Sequence, residues 1–189
     1  HVRDIKSSSE SLLVIIDDIL DISKLETGKF RLVHSHFNLH RMLDNISSMA
    51  TYLTGEKDLA LVLAQSPSLP EFLSGDEVRL RQILPNLLGN AVKFTHSGTV
   101  WLQAWPENDE LCFDVVDTGV GIREADRDQL FNAFRQVDTV KNRHVKGAGL
   151  GLSITMSLAK LMGGSVSLDS VYGQGSTFHV RLPLVLGDA

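Results

Sequence analysis

Cysteine is almost missing from this chain: Cys112 stands alone among 189 residues. One thiol excludes an internal disulfide and cannot supply a thiolate zinc cluster, which suits a reducing cytoplasm. Cys112 sits in the strand-like run Leu-Cys-Phe-Asp-Val-Val, where a small buried hydrophobe is its expected role. Long apolar runs are also lacking. No stretch approaches the roughly 20 apolar residues that span a bilayer, and no charged-then-apolar leader opens the chain. A large excess of one charge sign is lacking too, since 18 basic and 23 acidic residues give a net −5, with no broad basic face for nucleic acid. Internal repeats and low-complexity tracts are absent. What is present is 43% hydrophobic residues spread throughout, enough for the core of one medium soluble domain with a short appended element.

The first segment, to about Glu26, reads as one helix, with Leu12, Ile15, Ile16, Ile19, Ile22 and Leu25 at three- and four-residue spacing. Leu13 and Leu20 widen the stripe beyond one contact, so a partner helix is expected against it. Thr27-Gly28 closes the helix with a glycine cap. Beyond it the sequence predicts a strand from Lys29 to Phe37 and a helix from Asn38 to about Tyr52, capped by Asn38. Leu59 to Gln65 reads as a strand and Asp76 to Phe94 as the clearest long helix. Thr99 to Trp105 and Leu111 to Asp117 form a hairpin, with Pro106 to Asp109 as its turn. Arg135 to Ala148 is basic, nearly free of apolar residues, and reads as a mobile loop. Gly149 to Met162 is a helix; Ser165 to Ser170 and Ser176 to Leu184 are final strands joined by Tyr172-Gly-Gln-Gly175. Without strict βαβ alternation, this mixture argues for an α+β fold with helices on one face of a mixed sheet.

Four segments carry chemistry. On a helical wheel, Leu80, Ile83, Leu84, Leu87, Leu88, Ala91 and Phe94 share an apolar face, while Arg79, Asn86, Asn90 and Lys93 gather beside it. Two amides and an ammonium on one edge suit a polyphosphate and its cation, for an Asn oxygen ligates Mg²⁺ and Lys faces phosphate; an ordinary solvated edge would look the same. In Asp114-Val-Val-Asp-Thr-Gly-Val-Gly-Ile122, alternation points Asp117 to the core side with Leu111, Phe113 and Val115. A carboxylate there costs several kcal/mol unless donors satisfy it, and an adenine amino group is such a donor. Gly119 and Gly121 remove the side chains that would block a flat base. Lys146-Gly-Ala-Gly-Leu-Gly-Leu152 opens a helix, where free first-turn amides and the helix dipole favour an anion. Gly173-Gln-Gly-Ser-Thr177 is a tight turn before the last strand.

Taken in order, these segments resemble the N, G1, G2 and G3 boxes of bacterial-type sensor histidine kinases, in the ATPase superfamily that also holds DNA gyrase, Hsp90 and the mismatch-repair MutL proteins. Arg79-Leu-Arg-Gln-Ile-Leu-Pro-Asn-Leu-Leu-Gly-Asn-Ala-Val-Lys-Phe-Thr95 is similar to the N box, and Phe131-Asn-Ala-Phe134 to the F box. Asp18-Ile-Leu-Asp-Ile-Ser-Lys-Leu-Glu-Thr-Gly-Lys29 resembles the end of the second dimerisation helix in hybrid kinases. The resemblance implies a Bergerat-type two-layer α/β sandwich over residues 29–189, preceded by the tail of a dimerisation helix over residues 1–28. It implies ATP and Mg²⁺ as cofactors: Asn90 as the metal ligand, Lys93 and Phe94 beside the nucleotide, and Asp117 on the adenine amino group. Gly119, Gly121 and Ile122 would line the base. Residues 135–148 would form an ATP lid, with Lys146, Gly147, Gly149, Leu150, Gly151 and Leu152 toward the phosphates and Thr177 completing the site. Implied partners are a dimerisation helix and a response regulator or receiver domain, with no nucleic acid and no membrane contact by this segment. The implied setting is the cytoplasmic part of an inner-membrane sensor kinase.

Asn86 stands where hydrolysing relatives carry a water-activating Glu, and an amide cannot act as a general base at neutral pH. That favours a kinase over a hydrolytic ATPase. Three departures weigh in the other direction. The phosphoacceptor signature is absent, since His1-Val-Arg-Asp does not fit it, which implies that the acceptor helix lies upstream. Lys146, Gly147 and Ala148 replace the usual start of the G2 box, and Pro85 interrupts the N-box helix. A kinase-like interaction module with weak or no nucleotide binding is the competing expectation. His34 and His36 read as a strand edge, His40 and His179 as surface, and none suggests a metal site. Trp101 and Trp105 share one strand face and read as packing.

Overall fold

The computed structural model describes residues 16–17, 19–25, 27–28, 30–55, 57–127, 130 and 149–188. Residues 16–17 and 19–25 are helical, and the chain then turns at Gly28, whose φ is +64°. The elements that follow are β1 (Ser35–Asn38), α1 (Leu39–Thr54), β2 (Leu59–Gln65), β3 (Phe72–Gly75), α2 (Glu77–Phe94), β4 (Gly98–Glu107), β5 (Glu110–Asp117), α3 (Glu124–Arg127), α4 (Gly151–Leu161), β6 (Ser165–Val171) and β7 (Gly175–Pro183). Five strands form one sheet in the order β2-β4-β5-β7-β6, with β2 parallel to β4 and every other pair antiparallel. Strands β1 and β3 make a separate antiparallel ribbon. Helices α1, α2 and α4 pack on the sheet and on each other, so the fold is the two-layer α/β arrangement that the sequence implied.

Local chemistry explains where the elements begin. Asn38 caps α1 by accepting the Arg41 N–H at 2.8 Å. The buried Asp76 carboxylate caps α2, accepting from Arg79 N at 3.1 Å, and also ties in the preceding chain through Val33 N at 2.9 Å. At the other end of α2, the Lys57 ammonium donates to the carbonyls of Val92 at 2.5 Å and Thr95 at 3.2 Å, a cation on the negative end of the helix dipole. The β4–β5 turn is Asn108-Asp109, both left-handed at φ 49° and 62°, the geometry that matches the twist of a two-residue hairpin.

Three expectations need correction. The strand predicted from Lys29 to Phe37 is only Ser35–Asn38, because its ordered partner β3 is itself four residues long. Strand β3 went unread because it follows a proline loop and ends in Gly75, leaving too few residues to show alternation. Pro106 lies inside β4 and not in the turn; it falls beyond Ala104, the last residue that β2 pairs, so it interrupts no ladder there. Two histidines are also less exposed than expected: His40 bonds to Gln65 and to the Leu69 carbonyl, and His179 sits between Asp114 and Asp169. Cys112 is buried, as its sequence context required.

The helical residues before Gly28 dock on α2 through Asp21, whose carboxylate accepts from Gln82 Nε2 at 3.0 Å and lies 3.5 Å from Arg79 Nη1. The Arg79 guanidinium stacks 4.4 Å above the Phe30 ring. Ile22 and Leu25 pack against the core, whereas Ile16, Ile19 and Leu20 remain 43–50% exposed.

Helix α2 runs from Glu77 to Phe94 without a break at Pro85, so the Arg81 carbonyl lacks its usual i+4 donor. Pro85→Ala is expected to stabilise the domain by about 2 kcal/mol, raising the melting temperature by roughly 4–8 °C in a thermal scan.

Candidate functional site

Strand β5 delivers Asp117 to the helix side of the sheet, 8% exposed, in line with buried Leu111, Phe113 and Val115. Burial pushes the carboxyl above the usual aspartate range; N–H groups of Gly119 and Ser176, and the Thr95 hydroxyl, pull it partly back. The Gly119 N–H meets Asp117 Oδ1 at 2.8 Å. Thr95, the residue after α2, has no exposure, and its Oγ1 lacks a hydrogen-bond partner of ordinary geometry among the described residues. A Cβ on Gly119 would lie 2.6 Å from the Phe94 carbonyl, 2.7 Å from Asp117 Oδ1 and 2.9 Å from Thr95 Oγ1. Three polar atoms thus crowd the place a side chain would take, so only glycine fits there. Gly121 takes φ +63° and passes so close to the Val171 carbonyl that no side chain fits. Next to it the Ile122 N–H donates to Ser170 Oγ at 2.8 Å.

The polar edge of α2 lies half-buried beside this pocket. Asn86 Nδ2 donates to the buried Thr155 hydroxyl at 2.8 Å, and a Cβ on Gly151 would collide with Asn86 Oδ1. Asn86 therefore clamps α2 to the first turn of α4. The Asn90 side chain, one turn on, has no hydrogen-bond partner among the described residues, leaving its amide oxygen available. The Lys93 ammonium lies 5.3 Å from the Phe94 ring centroid, and burial lowers its pKa. Gly149, at φ 72°, leads into α4, whose start has no side-chain cap and no acidic residue in its first turn. Its amide end is electropositive, and no side chain among the described residues caps it.

The structure sorts the sequence-derived residues unevenly. Asp117, Gly119, Gly121 and Ile122 cluster with Phe94; Asn86, Asn90 and Lys93 share the neighbouring helix edge with Gly149 and Gly151 near Asn86. Leu150 is 1% exposed and Leu152 packs on the core, so these two act through their backbone and through packing. Thr177 is a correction. It pairs with Val116 and alternates away from the pocket, whereas Ser176 stands opposite Asp117 on the site side, 7% exposed. Thr95, Ser170 and Thr155 were missed; a hydroxyl in an apolar run gives little sequence signal until its neighbours are known. Lys146, Gly147, the Phe131–Phe134 segment and the basic loop of residues 135–148 lie outside the described residues.

The donor set fits a purine nucleotide. The buried Asp117 acceptor beside the side-chain-free Gly119 suits a flat polar base, and the start of α4, which no described side chain caps, suits its phosphates. Mg²⁺ keeps most of its ligands as phosphate and water oxygens, so a single amide oxygen such as that of Asn90 would be enough from the protein.

Comparison with known proteins gives the family. Residues 75–186 match the family described as histidine kinase-, DNA gyrase B-, and HSP90-like ATPase, and the chain belongs to that family. More narrowly, it is similar to the circadian input-output histidine kinase CikA of Synechococcus elongatus, 45% identical over 97% of this chain and 24% of that protein. It is 41% identical to hybrid signal transduction histidine kinase B of Dictyostelium discoideum, over 95% of this chain and 9% of that one. The chain therefore spans about a tenth to a quarter of the length of these curated relatives. The crystal structure of full-length ShkA in complex with AMPPNP superposes with a TM-score of 0.87 and 34% identity, covering 100% of this chain and 39% of that one.

Gly151→Ala should force Asn86 away from α4, because the added methyl has no room beside the amide. Overpacking of this kind costs about 1–3 kcal/mol. The expected outcome is a lower melting temperature together with at least a tenfold loss of nucleotide affinity, read by thermal scan and titration calorimetry.

Proposed function

We propose that this domain binds ATP with Mg²⁺ and delivers the γ-phosphoryl group to a histidine on a helical bundle, for relay to an aspartate of a receiver domain. The observation that carries the reading is the buried Asp117 carboxylate at the end of β5, held with Thr95 against a glycine that admits no side chain. Asp117 accepts the base amino group, and the Thr95 hydroxyl supports that carboxylate from beside it. Asn90 anchors the cation, which when bound neutralises phosphate charge. Lys93 and the first amides of α4 hold the polyphosphate, so the chain's part is positioning and charge neutralisation.

Asn86 supports transfer to a protein acceptor over hydrolysis. Its amide has no basic site for activating water, and its nitrogen is committed to Thr155. The exposed Ile16, Ile19 and Leu20 on the segment before Gly28 support a partner helix, as a dimerisation bundle would provide. This reading divides the chain into bundle tail, residues 1–28, and catalytic domain, residues 29–189. Among the described residues no helix is long and apolar enough to cross a membrane.

Titration calorimetry with ATP and Mg²⁺ tests the proposal: micromolar binding is expected, and Asp117→Asn should abolish it. Absence of heat from the intact protein would instead favour the interaction module, with only the exposed helix stripe in use. A stability measurement separates the binding role from a structural one. The folded pKa of Asp117 is raised, so its ionised form costs stability above that pKa, and the cost disappears as pH falls through it. Asp117→Asn removes the charge, and the nucleotide-free melting temperature at neutral pH is expected to hold or rise. ATP affinity of the unaltered protein should weaken on acidification at a higher pH than an ordinary aspartate would give.

A further inference from the structure

Ser170, the last residue but one of β6, is 6% exposed, belongs to none of the four sequence motifs, and its hydroxyl is fully engaged. Its Oγ accepts the Ile122 N–H at 2.8 Å, donates to the Gly175 carbonyl at 2.9 Å and lies 3.0 Å from Ser176 Oγ. A serine hydroxyl carries one hydrogen. The Gly175 carbonyl can only accept, so it takes the hydrogen of Ser170. The contact between the two serines must then be made by the hydrogen of Ser176. That leaves Ser176 Oγ with lone pairs alone. It stands directly opposite Asp117 in the β5–β7 register, and an ionised carboxylate is likewise an acceptor without a donor.

We propose that Ser170, by fixing the Ser176 hydrogen, makes this wall of the pocket accept hydrogen bonds only, and thereby selects a 6-amino purine over a 6-oxo purine. The inference rests on the nucleotide reading above and adds the determinant of base choice. An amino group at C6 offers two hydrogens to the two acceptors. A 6-oxo base sets oxygen against oxygen, and a buried acceptor left without its donor discriminates steeply. Ser170 does not touch the base. It is a positioning residue whose backbone is itself pinned, its carbonyl accepting from the Arg127 guanidinium.

The test compares ATP with inosine triphosphate by calorimetric titration of the unaltered protein, Ser170→Ala and Ser170→Thr. The unaltered protein should prefer ATP. In Ser170→Ala the Ser176 hydroxyl is released to donate to a 6-oxo base, and the ATP preference should fall at least tenfold. Ser170→Thr keeps the hydroxyl and should keep the preference. A merely structural role would weaken both ligands together, so an unchanged ratio in folded Ser170→Ala overturns the inference. If that variant does not fold, Ser176→Ala takes its place: it deletes the acceptor and should likewise lower the ratio, and an unchanged ratio there also overturns it. An unaltered protein that binds neither nucleotide overturns the ATP reading and this inference with it, whereas ATP binding with an insensitive ratio overturns this inference alone.

Discussion

Burial of one face of α2 against the sheet is the constraint from which the site follows. Leu80, Ile83, Leu84, Leu87 and Leu88 are at most 2% exposed, and each such side chain contributes about 1.5–3 kcal/mol of burial. With that face held, the helix cannot rotate, and its polar edge comes to rest in one place. Asn86 meets α4, Asn90 and Lys93 line the approach, and the helix ends where Phe94 and Thr95 close on Gly119 and Asp117. Asp76 and Lys57 secure the two ends, so the site residues inherit their precision from packing and capping more than from contacts with one another.

Around this rigid helix the molecule keeps several features that work against stability. A carboxylate is held out of water at Asp117, the fully buried Thr95 hydroxyl has no well-formed hydrogen bond among the described residues, and a proline interrupts the hydrogen-bond ladder of α2. The first two lie within one pocket, on either side of Gly119. Features that contradict local rules and share a location are the mark of a site built to be completed by something else. The third lies further up α2: Pro85 precedes Asn86, the residue that ties α2 to α4.

Much of this was readable beforehand, for reasons that can be stated residue by residue. Strand β2 was read with its observed ends, because seven residues between turn signals admit little else. Asn38 was read as a cap and Asp117 as facing the core, since a side-chain oxygen before an apolar run and a period of two are both local properties. The errors arose where two distant segments decide. Strand β3 exists because β1 pairs with it, and the choice between Ser176 and Thr177 depends on which of them the β5 register sets against Asp117. The docking of Asp21 on Arg79 and Gln82 joins residues about sixty positions apart and left no periodic trace.

By itself, then, the order of residues determined the elements, the apolar face of α2, the clustering of glycines near a strand-end acid and the family to which these belong, because helix and strand periods and turn chemistry act over a few residues. Tertiary structure alone decided which hydroxyls meet: Thr155 on Asn86, Thr95 beside Asp117, Ser170 on Ser176. Hydrogen bonds are directional and short, so their partners are chosen only after the core has brought the strands and helices into register.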